Sequence, residues 1–590
     1  MTAPLLRAGL VLASCGPLLA VWPGTASLYT LPKLLVLSLG AAVASAGALR
    51  DDDAEDRKAA RSPGPGILGP IAAVLGALVL STALSQNPPV SVLGEYSQHS
   101  HGLLPLALCA VIAALAQSAG LAAARGLLKA GAFAGAALSA YGLAQLAGLD
   151  PLLKLVGGLP EGRVVSLVGS PVSLGCCLAM LLPWQLGLAL DGETPGKRRV
   201  GALSAALTVA GLWVTVSRGA WLAAAVGAGC YLFWTGRCAG SRLRLAVLGA
   251  AAAAAIAAAA LTIPSWHARG TFESDAARLG VWKAAWRMSL AHPVSGVGPD
   301  AFQVMLGRFK GEDFVRSRGP TGSQVHAHND FLEVLAVSGV LGLAAYLWLL
   351  LAAWRRLRGA LRDDTARSPA AASGAALAAA FVFAKFNPVP LAGLALAAAA
   401  LGTLDPRGAR SRGIARASLL FSAVAVAASV WLLTADRSCL RAMRAQQAGR
   451  PQDALAAYAA ATRLNPFELR YGLRRVGLLR ELARSEDDPL RRRALLEEAV
   501  RASRVLVRWN PLEAEAQHAL GGSLAALTLQ GGADGMRESA EALERGLRAD
   551  WSHRPLIETR LKLAALRGAR DAAADSTRRL AELDALTPGR

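Results

Sequence analysis

The chain is broken into many apolar blocks of about 17–25 residues, each long enough to cross a bilayer's hydrocarbon layer as a helix. In lipid, a backbone must satisfy its own hydrogen bonds, so blocks of this kind fold as helices. Hydrophobic residues make up 54% of the 590, and mean hydropathy is +0.38, outside the range of an ordinary soluble domain. The expected fold class is therefore all-α: a polytopic transmembrane helical bundle followed by a soluble helical region. The blocks fall at residues 4–22, 28–49, 65–84, 102–119, 126–147, 171–190, 200–216, 218–235, 243–263, 329–353, 369–385, 387–404 and 413–434, about 13 helices.

Loop charge gives an orientation. The even connections carry Arg50, Arg57, Lys58 and Arg61; Arg125; Lys197, Arg198 and Arg199; Arg237, Arg242 and Arg244; five arginines between Arg355 and Arg367; and four between Arg407 and Arg416. The stretch from Ser85 to His101 has no Lys or Arg. Only the long connection at 264–328 breaks the pattern, and long loops escape the charge bias. The N-terminus is expected to be cytoplasmic, and an odd helix count puts the C-terminal region on the far side, the periplasm of a bacterial inner membrane.

The formal charge of +21 is explained by these loops and by the C-terminal region, and no nucleic-acid-binding motif accompanies it. The seven cysteines lie mostly inside apolar blocks without ligand spacing, which gives neither a disulfide framework nor a zinc site. Leu12-Ala13-Ser14-Cys15 has the form of a lipoprotein cleavage site, but apolar character continues through Leu18 to Trp22, and an uncleaved first helix is expected.

Two domains are expected, 1–434 in the membrane and 435–590 outside it. From about Ala435 the chain is rich in Ala, Leu, Arg and Glu. Helices there close at Asn465-Pro466 and again, 45 residues later, at Asn510-Pro511, with a looser unit ending near Asp550-Trp551. This resembles tetratricopeptide repeats, stacked helix pairs whose usual period is about 34. A plain helical bundle is the alternative.

Three segments on the far side carry groups suited to chemistry. Val216-Ser217-Arg218-Gly219-Ala220-Trp221-Leu222 is a tight turn between two helices. Asp275-Ala276-Ala277-Arg278-Leu279-Gly280-Val281-Trp282 opens an amphipathic helix in the long connection, followed by Gly296-Val297-Gly298-Pro299-Asp300-Ala301-Phe302. His326-Ala327-His328-Asn329-Asp330-Phe331-Leu332-Glu333 lies where that connection meets an apolar helix. Ionised groups at such a boundary cost about 2.5–3.5 kcal/mol each if drawn into hydrocarbon. Each has a plainer reading: Arg218 as a helix-end anchor to lipid phosphates, Arg278 as a solvated surface residue, Asp330 and Glu333 as helix N-terminal acids. His326 and His328 find no third metal ligand within their segment.

Together, the Ser-Arg-Gly-Ala-Trp-Leu turn, the Arg-Leu-Gly helix, Gly-Val-Gly-Pro-Asp-Ala-Phe and His-Asn-Asp-Phe-Leu-Glu resemble the O-antigen ligase and polymerase superfamily, over roughly residues 90–350. The resemblance implies a metal-independent, cofactor-free inverting glycosyltransferase. Such an enzyme moves a glycan from undecaprenyl pyrophosphate to a hydroxyl of a lipid, glycan or protein acceptor. It implies catalytic roles for Arg218, Arg278 and His328, with His326, Asn329, Asp330, Glu333 and Arg163 around the substrate. Membrane lipids and a protein bound by the C-terminal repeats are the other expected partners. Ligation to lipid A core in lipopolysaccharide synthesis, repeat-unit polymerisation and protein O-glycosylation stay open. Two segments depart from the family pattern: Gly94-Glu95-Tyr96-Ser97-Gln98-His99-Ser100-His101-Gly102 has Gln and His where an arginine is usual, and Val168-Gly169-Ser170-Pro171-Val172 replaces a Gly-Asn-Pro-Asn segment. A transporter or a non-enzymatic assembly scaffold is the competing class. Few ionisable groups lie within the apolar blocks, Lys33 and Lys385 being near boundaries, which argues against a transporter.

Overall fold

The computed structural model describes residues 4–50, 66–150, 152, 163–236, 271–404, 411–530 and 535–587. All regular structure among them is helical. The membrane part comprises α1 (Pro4–Leu19), α2 (Leu31–Arg50), α3 (Leu68–Ala83), the short α4 (Pro88–Leu93), α5 (Leu103–Ser118), α6 (Gly120–Leu146), α7 (Pro171–Asp191), α8 (Pro195–Val214) and α9 (Arg218–Trp234). It continues with α13 (Asp330–Ala360), α14 (Arg367–Ala384), α15 (Leu391–Gly402) and α16 (Arg412–Gln447). The long connection between α9 and α13 holds α10 (Thr271–Ala291), α11 (Phe302–Phe309) and α12 (Glu312–Arg318). Every expected apolar block except 243–263, which lies outside the described residues, coincides with a helix. Six of these helices, α2, α6, α7, α13, α14 and α16, are long and apolar enough to cross a membrane; α1, α3, α5 and α15 are apolar but shorter.

Small residues set the packing, as expected where lipid is as apolar as the helices themselves. α1 and α2 approach until a Cβ on Gly9 would lie 2.2 Å from the Ala44 amide nitrogen and one on Gly40 2.3 Å from that of Ala13. α7 is the centre of the bundle, packed on α6, α8, α9, α14 and α15, and its Trp184 is buried and lies against Gly131 of α6. α13 packs on α3 and leaves much of its surface outward, as a lipid-facing helix does.

The odd connections meet on one face. Lys33 in the first turn of α2 donates to Leu167 O of the fifth connection (2.7 Å), and Arg163 in the fifth donates to Thr215 O of the seventh (2.8 Å). Gln86 N in the third bonds Val297 O in the long connection between α9 and α13 (3.1 Å). On the opposite face Arg125 pairs with Glu193 (3.5 Å), and Ser368 donates to Asp191 (2.6 Å), joining the basic connections.

α16 runs from the apolar block straight into the polar C-terminal region. No Gly or Pro interrupts it between Ile414 and Ala448, and Gly449, at φ 68°, ends it. Helices α17 (Pro451–Leu464), α18 (Leu469–Ser485), α19 (Pro489–Trp509), α20 (Ala514–Thr528), α21 (Gly535–Ala549), α22 (Arg554–Leu566) and α23 (Arg570–Leu586) follow, each packed on the next. The two Asn-Pro turns meet at Phe467: Asn465 Oδ1 accepts from its amide (3.2 Å), and Asn510 Nδ2 donates to its carbonyl oxygen (3.4 Å).

This helical region is fastened to the odd-connection face. Asp436, fully buried on α16, accepts from Ser27 N (2.7 Å), Tyr96 OH (2.5 Å) and Tyr471 OH (2.9 Å). Lys310 pairs with Asp550 (2.8 Å), and Arg470 pairs with Glu95 (3.0 Å). Three separate segments thus converge on one carboxylate, and the loop holding Tyr96 is braced by the C-terminal helices.

Candidate active site

The site is organised by a break in α13. Gly339 has φ 64°, ψ −167°, outside helical geometry and outside the reach of most side chains. The segment 293–298 lies against this break and satisfies the backbone groups exposed by it: Val297 N bonds Ala336 O, Gly298 N bonds Val337 O (both 3.0 Å), and Val340 N bonds Pro293 O (2.8 Å). The approach admits no side chain. A Cβ on Gly339 would sit 2.2 Å from Val294 O, and one on Gly296 2.2 Å from the Val337 carbonyl carbon. The Gly-Val-Gly-Pro-Asp motif and the Ser-Gly after the His-Asn-Asp motif are therefore two halves of one joint.

The joint delivers Asp300 beside His326. Asp300 holds φ 56°, and its Oδ2 accepts from Glu95 N (2.9 Å) and His101 N (3.4 Å). Its Oδ1 is buried without a hydrogen-bond partner, 3.9 Å from His326 Nε2. His326 is 2% exposed, with Nδ1 on Glu333 Oε1 (3.1 Å) and Nε2 on Gln98 Oε1 (3.2 Å). The His101 ring stands edge-on to it, centroids 4.7 Å apart. Burial raises the Asp300 carboxyl to about 6 against the pull of His326. Burial pushes His326 down, but Glu333 and then Asp300 outweigh it and raise its pKa above the ordinary value. Gln98 and His101, the departures in the Gly94–Gly102 segment, are the residues that face this histidine.

Asn329 caps α13 through Phe331 N (3.1 Å) and Leu332 N (3.2 Å). Glu333 turns back to Ala327 N (2.5 Å) as well as to His326. Asp330 pairs with Lys385 (2.5 Å) and accepts from Tyr346 OH (2.8 Å); the Lys385 ammonium also lies 3.5 and 3.8 Å from the Phe331 and Phe381 ring centroids. In this structure these three polar groups brace the loop rather than project from it. Lys385→Ala is expected to leave the mostly buried Asp330 carboxylate without its cation, destabilising the protein by about 3 kcal/mol. Thermal unfolding in detergent would show this as a lowered Tm.

His328 turns the other way. It sits at φ 56°, with Nδ1 3.2 Å from Phe386 O and Nε2 3.0 Å from Gln324 Oε1. Burial, then the nearby Arg278 guanidinium, hold its pKa below the ordinary histidine value. Arg278 stands on α10, whose Ala277, Val281, Ala284, Ala285 and Met288 are buried at helical spacing, while Leu279, Trp286 and Leu290 are more than half exposed. Arg218 is exposed at the first position of α9. The next residue, Gly219, faces Asn387 Nδ2 and Phe386 Cβ, so the Arg218 turn and His328 border the same dipeptide. Arg163 braces the Arg218 turn. Its guanidinium grips Thr215 O (3.0 and 2.8 Å) and Val216 O (3.1 Å), holding the turn that presents Arg218.

Backbone strain marks the same region. The five non-glycine residues with positive φ among those described are His99, Ser166, Val216, Asp300 and His328. All lie in the odd connections, in or beside the segments just described. Such conformations cost about 1–3 kcal/mol each and persist where the surroundings over-determine them, often at functional sites. The Gly94–Gly102 loop also walls a cavity of about 210 Å³ between itself and the C-terminal helices, lined by Glu95, His99, Lys310, Glu468 and Glu513.

The sequence motifs include Asp300 but assign it no role, and they leave out Tyr346, Phe386 and Asn387. Asp300 carried a signal, an acid after Gly-x-Gly-Pro. The others carried none, because their partners are remote in sequence.

The fold and this patch define a polytopic helical membrane protein with a polar, strained site at one end of its bundle. A family model described as O-antigen ligase matches residues 203–347, a stretch that includes Arg218, Arg278, Asp300 and the His326–Glu333 segment. No curated protein matches the chain.

Proposed function

We propose that the protein transfers a glycan from undecaprenyl pyrophosphate to an acceptor hydroxyl at the periplasmic face of the bacterial inner membrane. The observation carrying this reading is the patch around Phe386–Asn387, where the Arg218 turn and a neutral His328 under the field of Arg278 come together. A lipid diphosphate leaving a sugar concentrates negative charge. Guanidinium groups bind it through bidentate hydrogen bonds and keep their protons. Arg218 also opens α9, so the positive end of the helix dipole adds to its charge. His328, neutral, accepts the proton of the attacking hydroxyl as the new glycosidic bond forms and the sugar–phosphate bond breaks. Asn329, Asp330, Glu333, His326 and Arg163 hold the segments that carry these three groups.

The exposed Leu279, Trp286 and Leu290 suit α10 to the bilayer interface, close to a carrier lipid's headgroup. In this reading residues 1–434 form the membrane domain, the N-terminus and the basic even connections are cytoplasmic, and the helices from 435 onward form a periplasmic tetratricopeptide-like domain. The test is a product analysis. Purified protein, an undecaprenyl-pyrophosphate glycan and separate lipid, glycan and polypeptide acceptors are incubated together. One acceptor is expected to gain the mass of the glycan; an intact donor with all three would leave the scaffold reading.

A further inference from the structure

We propose that His101, Asp300 and His326 form a binding site for one divalent transition-metal cation of the zinc class, a structural site behind the transfer patch. One donor atom from each residue lies within 4.8 Å of the others. The donor set, two imidazoles and a carboxylate, is the kind that zinc accepts. Two features separate this group from a chance meeting of polar side chains.

The first is the Asp300 Oδ1 atom, fully buried, without a hydrogen-bond partner, and facing His326 Nε2 at 3.9 Å. A buried carboxylate oxygen left in this state is costly unless something positive satisfies it. The second is the surrounding support. Glu333 Oε1 engages His326 Nδ1 (3.1 Å), and Ser100 Oγ engages His101 Nδ1 (2.8 Å). Both contacts are made at Nδ1, so Nε2 is the ring nitrogen open to a metal, at His326 in exchange for its contact with Gln98 Oε1 (3.2 Å); carboxylates and hydroxyls orient metal-bound histidines in this way. Asp300 is held likewise, since Oδ2 takes the Glu95 and His101 amides and leaves Oδ1 forward.

Zinc bonds to nitrogen and oxygen run to about 2.0–2.2 Å, so two donors on one ion lie no more than about 4 Å apart. The Asp300–His326 separation of 3.9 Å is already near that limit. Inward movement of the His101 ring completes the set. Gln98 Oε1, 3.2 Å from His326 Nε2, stands at the fourth side. The rival occupant is a proton on His326, which would answer the charge of Asp300 and Glu333 without any metal. A bound cation would fix the start of the 326–333 segment, and through it the strained backbone of His328.

The test uses the full chain in detergent, stripped with a chelator and then titrated with Zn²⁺ or with Mg²⁺. Expected are one bound zinc per chain, a Tm that rises with zinc concentration, and no effect of Mg²⁺. Asp300→Asn and His101→Ala should lose the zinc, and Glu333→Gln should bind it about 10–100-fold more weakly. Wild-type protein that retains no zinc after titration, or an Asp300→Asn variant that binds as much as wild type, would overturn the proposal. The wild-type measurement decides the matter even if a variant does not fold, and neither result depends on glycan transfer.

Discussion

Arg278→Ala is expected to lower glycan transfer by at least about a hundredfold, the usual effect of removing one preorganised group that meets charge developing in the transition state. Arg278 stands on a helix whose buried face is formed by other residues: Ala277, Val281, Ala284, Ala285 and Met288 pack the helix down. Its loss should therefore leave the protein folded. Both donor affinity and turnover should fall if, as proposed, the guanidinium holds the diphosphate before and during bond cleavage. Arg278→Lys should recover only part of the activity, since an ammonium keeps the charge and loses the planar fork. The same pattern is expected for Arg218. Transfer kinetics with a defined donor, alongside thermal unfolding of each variant, would check this. Unchanged turnover in either alanine variant would remove that arginine from the mechanism.

The second large effect is at His328. Removing a positioned general base typically costs about 10²–10⁴ in rate. Alanine is a poor probe here, because the residue holds φ 56° and alanine disfavours that conformation. Asparagine tolerates it and lacks a basic nitrogen, so His328→Asn separates the proton role from the backbone. Turnover is expected to collapse while donor binding stays near wild type. That split between turnover and affinity distinguishes the base from the two arginines. An asparagine variant that transfers normally would give the proton to another group.

Much of the fold could be read from the sequence because lipid imposes a simple rule. Blocks such as 171–190 and 218–235 have no option but helix, and the helices Pro171–Asp191 and Arg218–Trp234 end within a residue of them, whereas 126–147, 329–353 and 413–434 fall short of their helices by six residues or more at one end. The continuation of α16 to Gln447 was less evident, since hydropathy falls after Leu433 although helical geometry does not change. At the site, Arg218, Arg278 and His328 stood out because charged groups at a membrane boundary are conspicuous. Their supports did not. Lys385 read as a boundary residue, and its partner Asp330 lies 55 positions away. Asp436 gave no hint that Ser27, Tyr96 and Tyr471 would converge on it. The glycines at 296, 298 and 339 were visible as motif letters, but the backbone pairing that requires them is tertiary.

The central claim is that guanidinium groups at the end of this bundle hold a carrier lipid's diphosphate. It is tested most directly by the binding of undecaprenyl pyrophosphate itself to the purified protein, compared with the monophosphate. Saturable binding that prefers the diphosphate and weakens at least about tenfold, 1.4 kcal/mol or more, in both Arg218→Ala and Arg278→Ala is the result this account predicts. Equal affinity in wild type and both variants would contradict it.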